Sequence, residues 1–180
     1  MRKRATALTA GVLLVPALAV PEAATGQRAG FVIGFGLGGG FTSMDGGAAD
    51  RQNEAGLVSD FKIGYAPSAS FAITFTGDTH YYSTDTSGGS KAAELSVGGV
   101  GVTKFFSPDS PIAYIDGSVG TATSALLEDL DAEDAGFGAT GGVGFALSDI
   151  WFIDVGLLYA NLDGPVDGWG LKASINVLSN

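Results

Sequence analysis

Alternating apolar and polar positions are the strongest signal in the chain, and they are clearest near its C-terminal end. Between residues 150 and 161, every second position is apolar or aromatic: Trp151, Ile153, Val155, Leu157 and Tyr159. After a short break the alternation returns at Trp169, Leu171, Ala173, Ile175 and Val177. Polar residues such as Asp154 and Lys172 lie between them. A period of two residues is typical of β-strands, so this region predicts two adjacent strands, each with one apolar face.

The same period recurs along the chain from residue 31 onward. It predicts six further strands, over residues 31–42, 55–66, 69–80, 91–106, 112–123 and 135–147. The connecting segments alternate in length: 43–54, 81–90 and 124–134 are long and polar, 67–68, 107–111 and 148–149 are short, and 161–167 is intermediate. Short turns at one end and longer loops at the other are typical of an up-and-down membrane barrel.

The fourth predicted strand departs from a single alternation. Leu95, Val97 and Phe105 share one parity, whereas Val100 and Val102 share the other. A β-bulge near the glycine pair at 98–99 would switch the two faces. We expect Leu95, Val97 and Phe105 to point outward, and Glu94 and Lys104 to point inward.

The composition decides which way the apolar faces point. Charged residues make up 16% of the chain and hydrophobic residues 46%, whereas soluble proteins carry about 25% charged residues. After the first residues, no apolar run approaches the roughly 20 residues of a spanning helix. We therefore expect the apolar faces to contact lipid, and residues 31–180 to form an all-β, eight-stranded antiparallel up-and-down transmembrane β-barrel. A soluble secreted barrel, with the apolar faces inside, is the alternative architecture.

On this pattern of strands and turns, residues 31–180 resemble the small outer-membrane β-barrels of the OmpA-transmembrane and OmpX type. The resemblance implies the outer membrane of a Gram-negative bacterium. It also implies outer-membrane lipid, lipopolysaccharide and the barrel assembly machinery as partners. Such barrels often end in an aromatic residue that this machinery reads, whereas this chain ends Val177-Leu178-Ser179-Asn180. We expect Val177 or Leu178 to serve weakly in its place, or the signal to lie elsewhere.

The first residues have the layout of a secretory signal peptide. Arg2, Lys3 and Arg4 precede an apolar stretch over 5–15, and Ala17-Leu18-Ala19 is a small-x-small cleavage site. We expect residues 1–19 to be removed, with cleavage after Ala24 as the alternative. Residues 20–30 would then form a flexible lead-in.

Charged residues on the polar faces predict an ionic network inside the barrel. The interior of an eight-stranded barrel is only wide enough for side chains to fill it, and buried charges are costly unless they are paired. We expect Lys62, Asp116 and Asp154 to lie at similar heights and to pair. The full predicted network is Asp60, Lys62, Asp78, Glu94, Lys104, Asp116, Asp154 and Lys172.

Aromatic residues near the strand ends predict two girdles at the membrane interfaces. The girdle positions are Phe41, Tyr65, Phe71, Tyr81, Phe105, Tyr114, Trp151, Tyr159 and Trp169.

The charge balance restricts the partners. The formal net charge is −10, and an acidic chain without a basic cluster is not expected to bind nucleic acid. The densest acidic segment is a candidate cation-binding loop that would bridge to lipopolysaccharide phosphates through divalent cations; its residues are Glu128, Asp129, Asp131, Glu133 and Asp134. A solvated external loop is the simpler interpretation. No cofactor or resident metal is predicted, and any surface ligand is left unidentified.

These features favour a non-enzymatic envelope protein that stabilises the membrane or presents its loops to a partner, with charged side chains plugging the lumen. A narrow channel for ions or small solutes is the alternative. A lipid-modifying barrel enzyme is a second alternative, since His80 lies near Ser83, Asp78 and Asp85 in sequence. However, barrel-type lipid A deacylases place a serine two residues after the histidine, and Tyr82 stands there in this chain.

Overall fold

The computed structural model describes residues 29–46, 49–86, 89–106, 113–127, 129–163 and 166–179. The predicted signal peptide over residues 1–19, the alternative cleavage site after Ala24 and most of the predicted lead-in lie outside the described residues.

The described chain forms eight antiparallel strands that close into a barrel, each paired with its neighbours in sequence and β8 paired with β1. This confirms the predicted fold class. The strands are β1 (Gly30–Gly46), β2 (Ala49–Ser68), β3 (Phe71–Thr86), β4 (Gly89–Phe105), β5 (Ala113–Leu126), β6 (Asp129–Ala146), β7 (Trp151–Leu162) and β8 (Val166–Ser179). We call the end where β1 begins and β8 ends the lower end, and the opposite one the upper end. None of the described residues forms a helix long and apolar enough to cross a membrane.

Side chains alternate between the outer wall and the lumen along each strand. Phe61, Phe75 and Ile175 are exposed on the outside, whereas Lys62 and Asp154 are buried inside. The alternation is strict along β7, where every second residue from Phe152 is buried. Because the chain is closed into one barrel, this pattern produces an apolar outer wall around a mixed interior.

The strands extend further at the upper end than the hydrophobic pattern predicts. The segments predicted as polar loops over 43–54, 81–90 and 124–134 belong largely to strands, since β1 reaches Gly46, β3 reaches Thr86 and β6 begins at Asp129. That prediction was wrong because hydrophobic alternation marks only the part of a strand whose outer face is apolar. Backbone pairing continues beyond it, for example between Thr84 and Lys91, where both faces are polar and no alternation is visible.

The predicted bulge in β4 is also absent from the described ladders. Gly98 pairs with Gly77 of β3 and with Thr121 of β5 in an unbroken register. At Gly99 an added Cβ would collide with the backbone of Val119. Gly99 therefore allows β4 and β5 to approach closely, and the glycine pair does not switch the faces. As a result, Leu95, Val97 and Phe105 face the lumen while Val100 and Val102 face outward.

Candidate functional site: a layered lumen

Buried side chains that point into the lumen form three layers. The lower apolar layer consists of Val32, Ala66, Ala72, Phe105, Tyr114, Phe152 and Leu178. The upper apolar layer consists of Tyr82, Ala93, Leu95, Val97, Ala122, Leu158, Ala160 and Leu162. The ionic layer between them contains Asp60, Lys62, Asp78, Asp116, Asp154 and Lys172.

Lys62 is the centre of one group of charges, which we call the Lys62 cluster: Lys62, Tyr114, Asp116 and Asp154. The Lys62 ammonium forms an ion pair with Asp116 and lies 3.6 Å from Oδ2 of Asp154. It also lies 4.7 Å from the centroid of the Tyr114 ring, within range of a cation–π interaction. The Tyr114 hydroxyl donates a hydrogen bond to Oδ2 of Asp154. This cluster therefore links β2, β5 and β7 across the lumen.

Lys172 is the centre of a second group, the Lys172 cluster: Lys172, Asp60, Asp78 and Ser174. Its ammonium forms an ion pair with Asp78 and lies 3.3 Å from Oδ2 of Asp60. Ser174 donates a hydrogen bond of 2.9 Å to the same Asp60 oxygen. In turn, Asn176 donates a hydrogen bond of 2.8 Å to Ser174. Polar residues of β8 thus orient the carboxylate that Lys172 approaches.

Glycines opposite the charged residues provide the space for these clusters. In the paired strands Gly34 lies opposite Lys62 and Gly36 opposite Asp60. Gly142 lies opposite Asp116, and Gly144 opposite both Tyr114 and Asp154. Since these glycines face the lumen without side chains, long side chains from neighbouring strands can reach across it.

Two residues of the predicted network are not part of it. Glu94 and Lys104 lie on the outward parity of β4, where Glu94 is half-buried and Lys104 exposed. The prediction was wrong for both because it placed the parity of Leu95 and Phe105 on the outer wall, whereas the continuous register turns that parity to the lumen. The structure brings the other six predicted residues together in the two clusters.

Two residues of the predicted girdles lie inside the barrel. Phe105 is 2% exposed and Tyr114 is 1% exposed, and their rings pack edge to face in the lower layer. For Phe105 the error came from the same assignment of the Leu95 parity to the outer wall. Tyr114 could have been placed correctly, because it has the same parity as Asp116, which was expected inside. Phe152, which also packs against Tyr114, could have been found in the same way from Asp154.

His80 lies between the ionic layer and the upper layer. It is buried, and its Nδ1 lies 3.1 Å from Oγ1 of Thr42. Ser83 has the opposite parity and is exposed, while Asp78 is engaged by Lys172. The structure therefore does not bring His80, Ser83 and Asp78 into a catalytic arrangement.

Known proteins match this chain in fold but not in sequence. No protein-family model matches the chain, and no curated protein sequence matches it. Ail, the attachment invasion locus protein of Yersinia pestis, is 10% identical with a TM-score of 0.60, and the match covers 83% of this chain and 99% of Ail. Neisserial surface protein A is 16% identical with a TM-score of 0.56, covering 83% of this chain and 97% of that one. The outer membrane protein OprG from Pseudomonas aeruginosa is 12% identical with a TM-score of 0.50, covering 87% and 99%. The chain has the fold of the small outer-membrane β-barrels.

Aromatic residues lie on the outer wall of the barrel near both ends. Tyr65, Phe71 and Trp151 have the outward parity near the lower end. Four more have it towards the upper end: Phe41, Tyr81, Tyr159 and Trp169. The rings of Phe41 and Trp169 lie 6.0 Å apart across the β1–β8 seam.

The acidic segment of this outer-membrane-type barrel is mostly strand. Asp129 begins β6, and Glu133 pairs with Ala125. Glu128 lies outside the described residues, as do the side chains of Asp129, Asp131 and Glu133. Asp134 is exposed. Within the described part of the chain, no group of three or more His, Cys, Asp or Glu side chains is arranged to hold a metal ion.

Proposed function

We propose that this protein is a non-enzymatic β-barrel of the outer membrane whose lumen is closed to solutes. It would stabilise the membrane and present its upper end to partners outside the cell. The observation that carries the proposal is the three-layered lumen, in which two apolar layers enclose paired charges. A cavity of about 10 Å³ lies beside the ionic layer and is lined by residues that include Lys62, Asp78, Asp116 and Lys172. That volume is about the size of a single water molecule.

The outer wall supports the membrane location. Large apolar side chains are exposed on every strand, including Leu57 at 70% and Phe31 at 59% exposure. Soluble monomers rarely expose apolar patches beyond a few hundred Å². A groove of about 890 Å³ on this wall is lined by apolar residues of β5 to β8, such as Ile115, Val155 and Leu171. In a bilayer all of this surface would contact acyl chains, which supports outer-membrane lipid as a partner.

Single-channel recording in a planar bilayer tests the closed lumen. Because the ionic layer lies between two apolar layers, we expect the inserted wild-type barrel to give no discrete conductance steps. Heat-modifiable migration on gels would show independently that the protein in the sample is folded. Reproducible steps from the folded protein would instead favour the alternative function, a narrow cation path through the surplus of lumenal carboxylates.

The upper end supports an acidic contact surface. Asp134, Asp163 and Asp167 are exposed there. Ail was crystallised with a heparin analogue, which is a polyanion, but the net charge of −10 in this chain opposes the binding of polyanions. We therefore propose that divalent cations bridge these carboxylates to lipopolysaccharide phosphates. Calcium should strengthen binding to lipopolysaccharide vesicles but not to phosphatidylcholine vesicles, and neutralising the three aspartates to Asn should remove the effect. Equal binding to both vesicles at all calcium concentrations would contradict this partner.

The placement of His80 supports a function without catalysis. Its ring is buried above the ionic layer and contacts Thr42, so a lipid substrate on the outer wall would not reach it. We expect His80→Ala to leave the lipid composition of producing cells unchanged by mass spectrometry. A change in lipid A acylation that depends on His80 would instead support the enzymatic alternative.

A further inference from the structure

Three oxygen atoms in or beside the ionic layer converge on the lumenal side of Gly142. An added Cβ at Gly142 would lie 3.1 Å from Oδ1 of Asp116, 3.1 Å from Oδ1 of Asp154 and 3.1 Å from the carbonyl oxygen of Val155. These three oxygens therefore face the space that a side chain at position 142 would occupy. A carbonyl oxygen has two lone pairs, so that of Val155 can accept a strand bond and still face this space.

One of these oxygens is buried and lacks a hydrogen-bond partner. Asp154 is 0% exposed, and its Oδ1 has no hydrogen-bond donor within reach. Its other oxygen, Oδ2, accepts the hydrogen bond from Tyr114 and faces Lys62. A buried carboxylate oxygen without a partner is unfavourable by several kcal/mol. A positively charged or hydrogen-donating group beside Gly142 would therefore stabilise this oxygen.

The charge balance of the Lys62 cluster favours a cation. Two carboxylates and one ammonium leave a formal charge of −1 in this cluster. Lys62 approaches the Oδ2 atoms of Asp116 and Asp154, whereas the Oδ1 atoms face Gly142. A single positive charge on that side would complete the cluster without competing with the lysine.

The Lys172 cluster differs at the equivalent position. An added Cβ at Gly36 would meet the side chains of Asn176 and Asp60. The space beside that glycine is therefore filled by protein atoms, and Asn176 is tied to Ser174. In contrast, the neighbour of Gly142 across β7 is Gly156. The Lys172 side chain covers Gly156, with its Cε 3.0 Å from an added Cβ, but its ammonium pairs with Asp60 and Asp78 and not with Asp154.

We propose that the space beside Gly142 binds one dehydrated monovalent cation, with sodium as the ion to test, between Asp116 Oδ1, Asp154 Oδ1 and the Val155 carbonyl. Carboxylate and carbonyl oxygens are the ligands of hard cations, and backbone carbonyls replace the hydration shell of alkali ions inside membrane proteins. Because the Lys62 cluster has a formal charge of −1, a monovalent cation would neutralise it. Because apolar layers close the lumen above and below, the ion would enter during folding and then be retained.

Refolding in two salts tests the proposal. Wild-type protein is refolded in detergent with sodium chloride or choline chloride at equal ionic strength, and the thermal unfolding midpoint is measured by circular dichroism. A ligand that binds only the folded state raises this midpoint, so we expect sodium to raise it by several degrees. Gly142→Ala should remove the difference, because its methyl group occupies the site, and so should Asp154→Asn, because it removes the charge.

Gly141→Ala is the matched control. Residue 141 is adjacent but faces outward, and its nearest neighbour, the Asp116 carbonyl oxygen, lies at an ordinary contact distance of 3.6 Å from an added Cβ. This variant should respond to sodium like the wild type. Equal wild-type midpoints in both salts, as expected for a bound water or a shared proton, would overturn the proposal. A sodium effect that persists in Gly142→Ala would also overturn it.

A direct measurement keeps the proposal testable if Gly142→Ala does not fold. Wild-type protein refolded in sodium chloride is exchanged into choline chloride, and its sodium content is measured by atomic emission. We expect near-stoichiometric sodium in the wild type and in Gly141→Ala, and background levels in Asp154→Asn. Background sodium in the wild type would overturn the proposal.

Discussion

At the scale of single residues, two lysines inside the barrel hold the ionic layer together. Lys62 and Lys172 each lie between two lumenal carboxylates, of which Asp116 is 15% exposed and the others are buried. Charges away from water are unfavourable unless they are paired, and removing one partner leaves the other uncompensated. Each lysine therefore holds two aspartates of other strands in the lumen, and the stability of the barrel depends on it.

Lys62→Ala is expected to destabilise the barrel by about 3–5 kcal/mol, because Asp116 and Asp154 would remain buried without their cation. Urea unfolding followed by tryptophan fluorescence measures the change. Lys104→Ala is the control, since Lys104 is exposed on the outer wall, and its effect should stay within about 0.5 kcal/mol. Equal losses in the two variants would mean that Lys62 does not hold the ionic layer together.

Tyr114→Phe tests the contact between the lower apolar layer and the ionic layer. Loss of the hydroxyl removes the hydrogen bond to Asp154, and leaving a buried acceptor without its donor costs about 1–3 kcal/mol. The same urea unfolding measurement applies. Tyr65→Phe is the matched control on the outer wall, where Tyr65 is 60% exposed. If both variants unfold at the same urea concentration as the wild type, Tyr114 fills space and does not bind Asp154.

At the scale of the strands, β4 decides how the interior is composed. Its lumenal side chains, Leu95 and Val97, belong to the upper apolar layer, and Phe105 to the lower one. If the faces switched at Gly98, the upper layer would lose two of its large residues. The composition of both apolar layers therefore depends on the uninterrupted register of this strand.

Cysteine scanning measures that register directly, because the chain contains no native cysteine. Single cysteines carrying a spin label at Val100 and Val102 should be accessible to oxygen dissolved in the bilayer, whereas labels at Val97 and Leu95 should not. The alternation should continue without interruption across Gly98. If labels at Leu95 and Val97 were as accessible to oxygen as those at Val100 and Val102, the strand would contain the bulge, and the layered lumen would be contradicted.

The strands also show where the hydrophobic pattern predicts the correct face and where it does not. Alternation of Phe61 with Lys62, or of Val155 with Asp154, predicts the correct face because one residue is apolar and its neighbour charged. In β4 valine occurs on both faces, so hydrophobicity alone could not decide between a bulge and a continuous strand. Tyr114 could have been placed from the parity of Asp116. The pairing of Lys172 with Asp78 joins residues 94 positions apart, and only the register of several strands brings them together.

At the scale of the whole molecule, the barrel has an apolar outer wall and a lumen in which charges lie between apolar layers. The outer wall needs lipid, since so large an apolar surface would be unstable in water. The interior pairs its two lysines with carboxylates in a layer between two apolar clusters. The central claim is therefore that the apolar wall is embedded in a bilayer, with one girdle of aromatic side chains at each interface.

Quenching of the native tryptophans by brominated lipids tests this claim most directly. Trp151 lies near the lower end and Trp169 near the upper end of the outer wall. In bilayers with bromines at defined depths, we expect both to be quenched most strongly by bromines near the lipid interfaces and less by those at the bilayer centre. Efficient quenching by aqueous iodide with none by brominated lipid at any depth would contradict the membrane-embedded barrel.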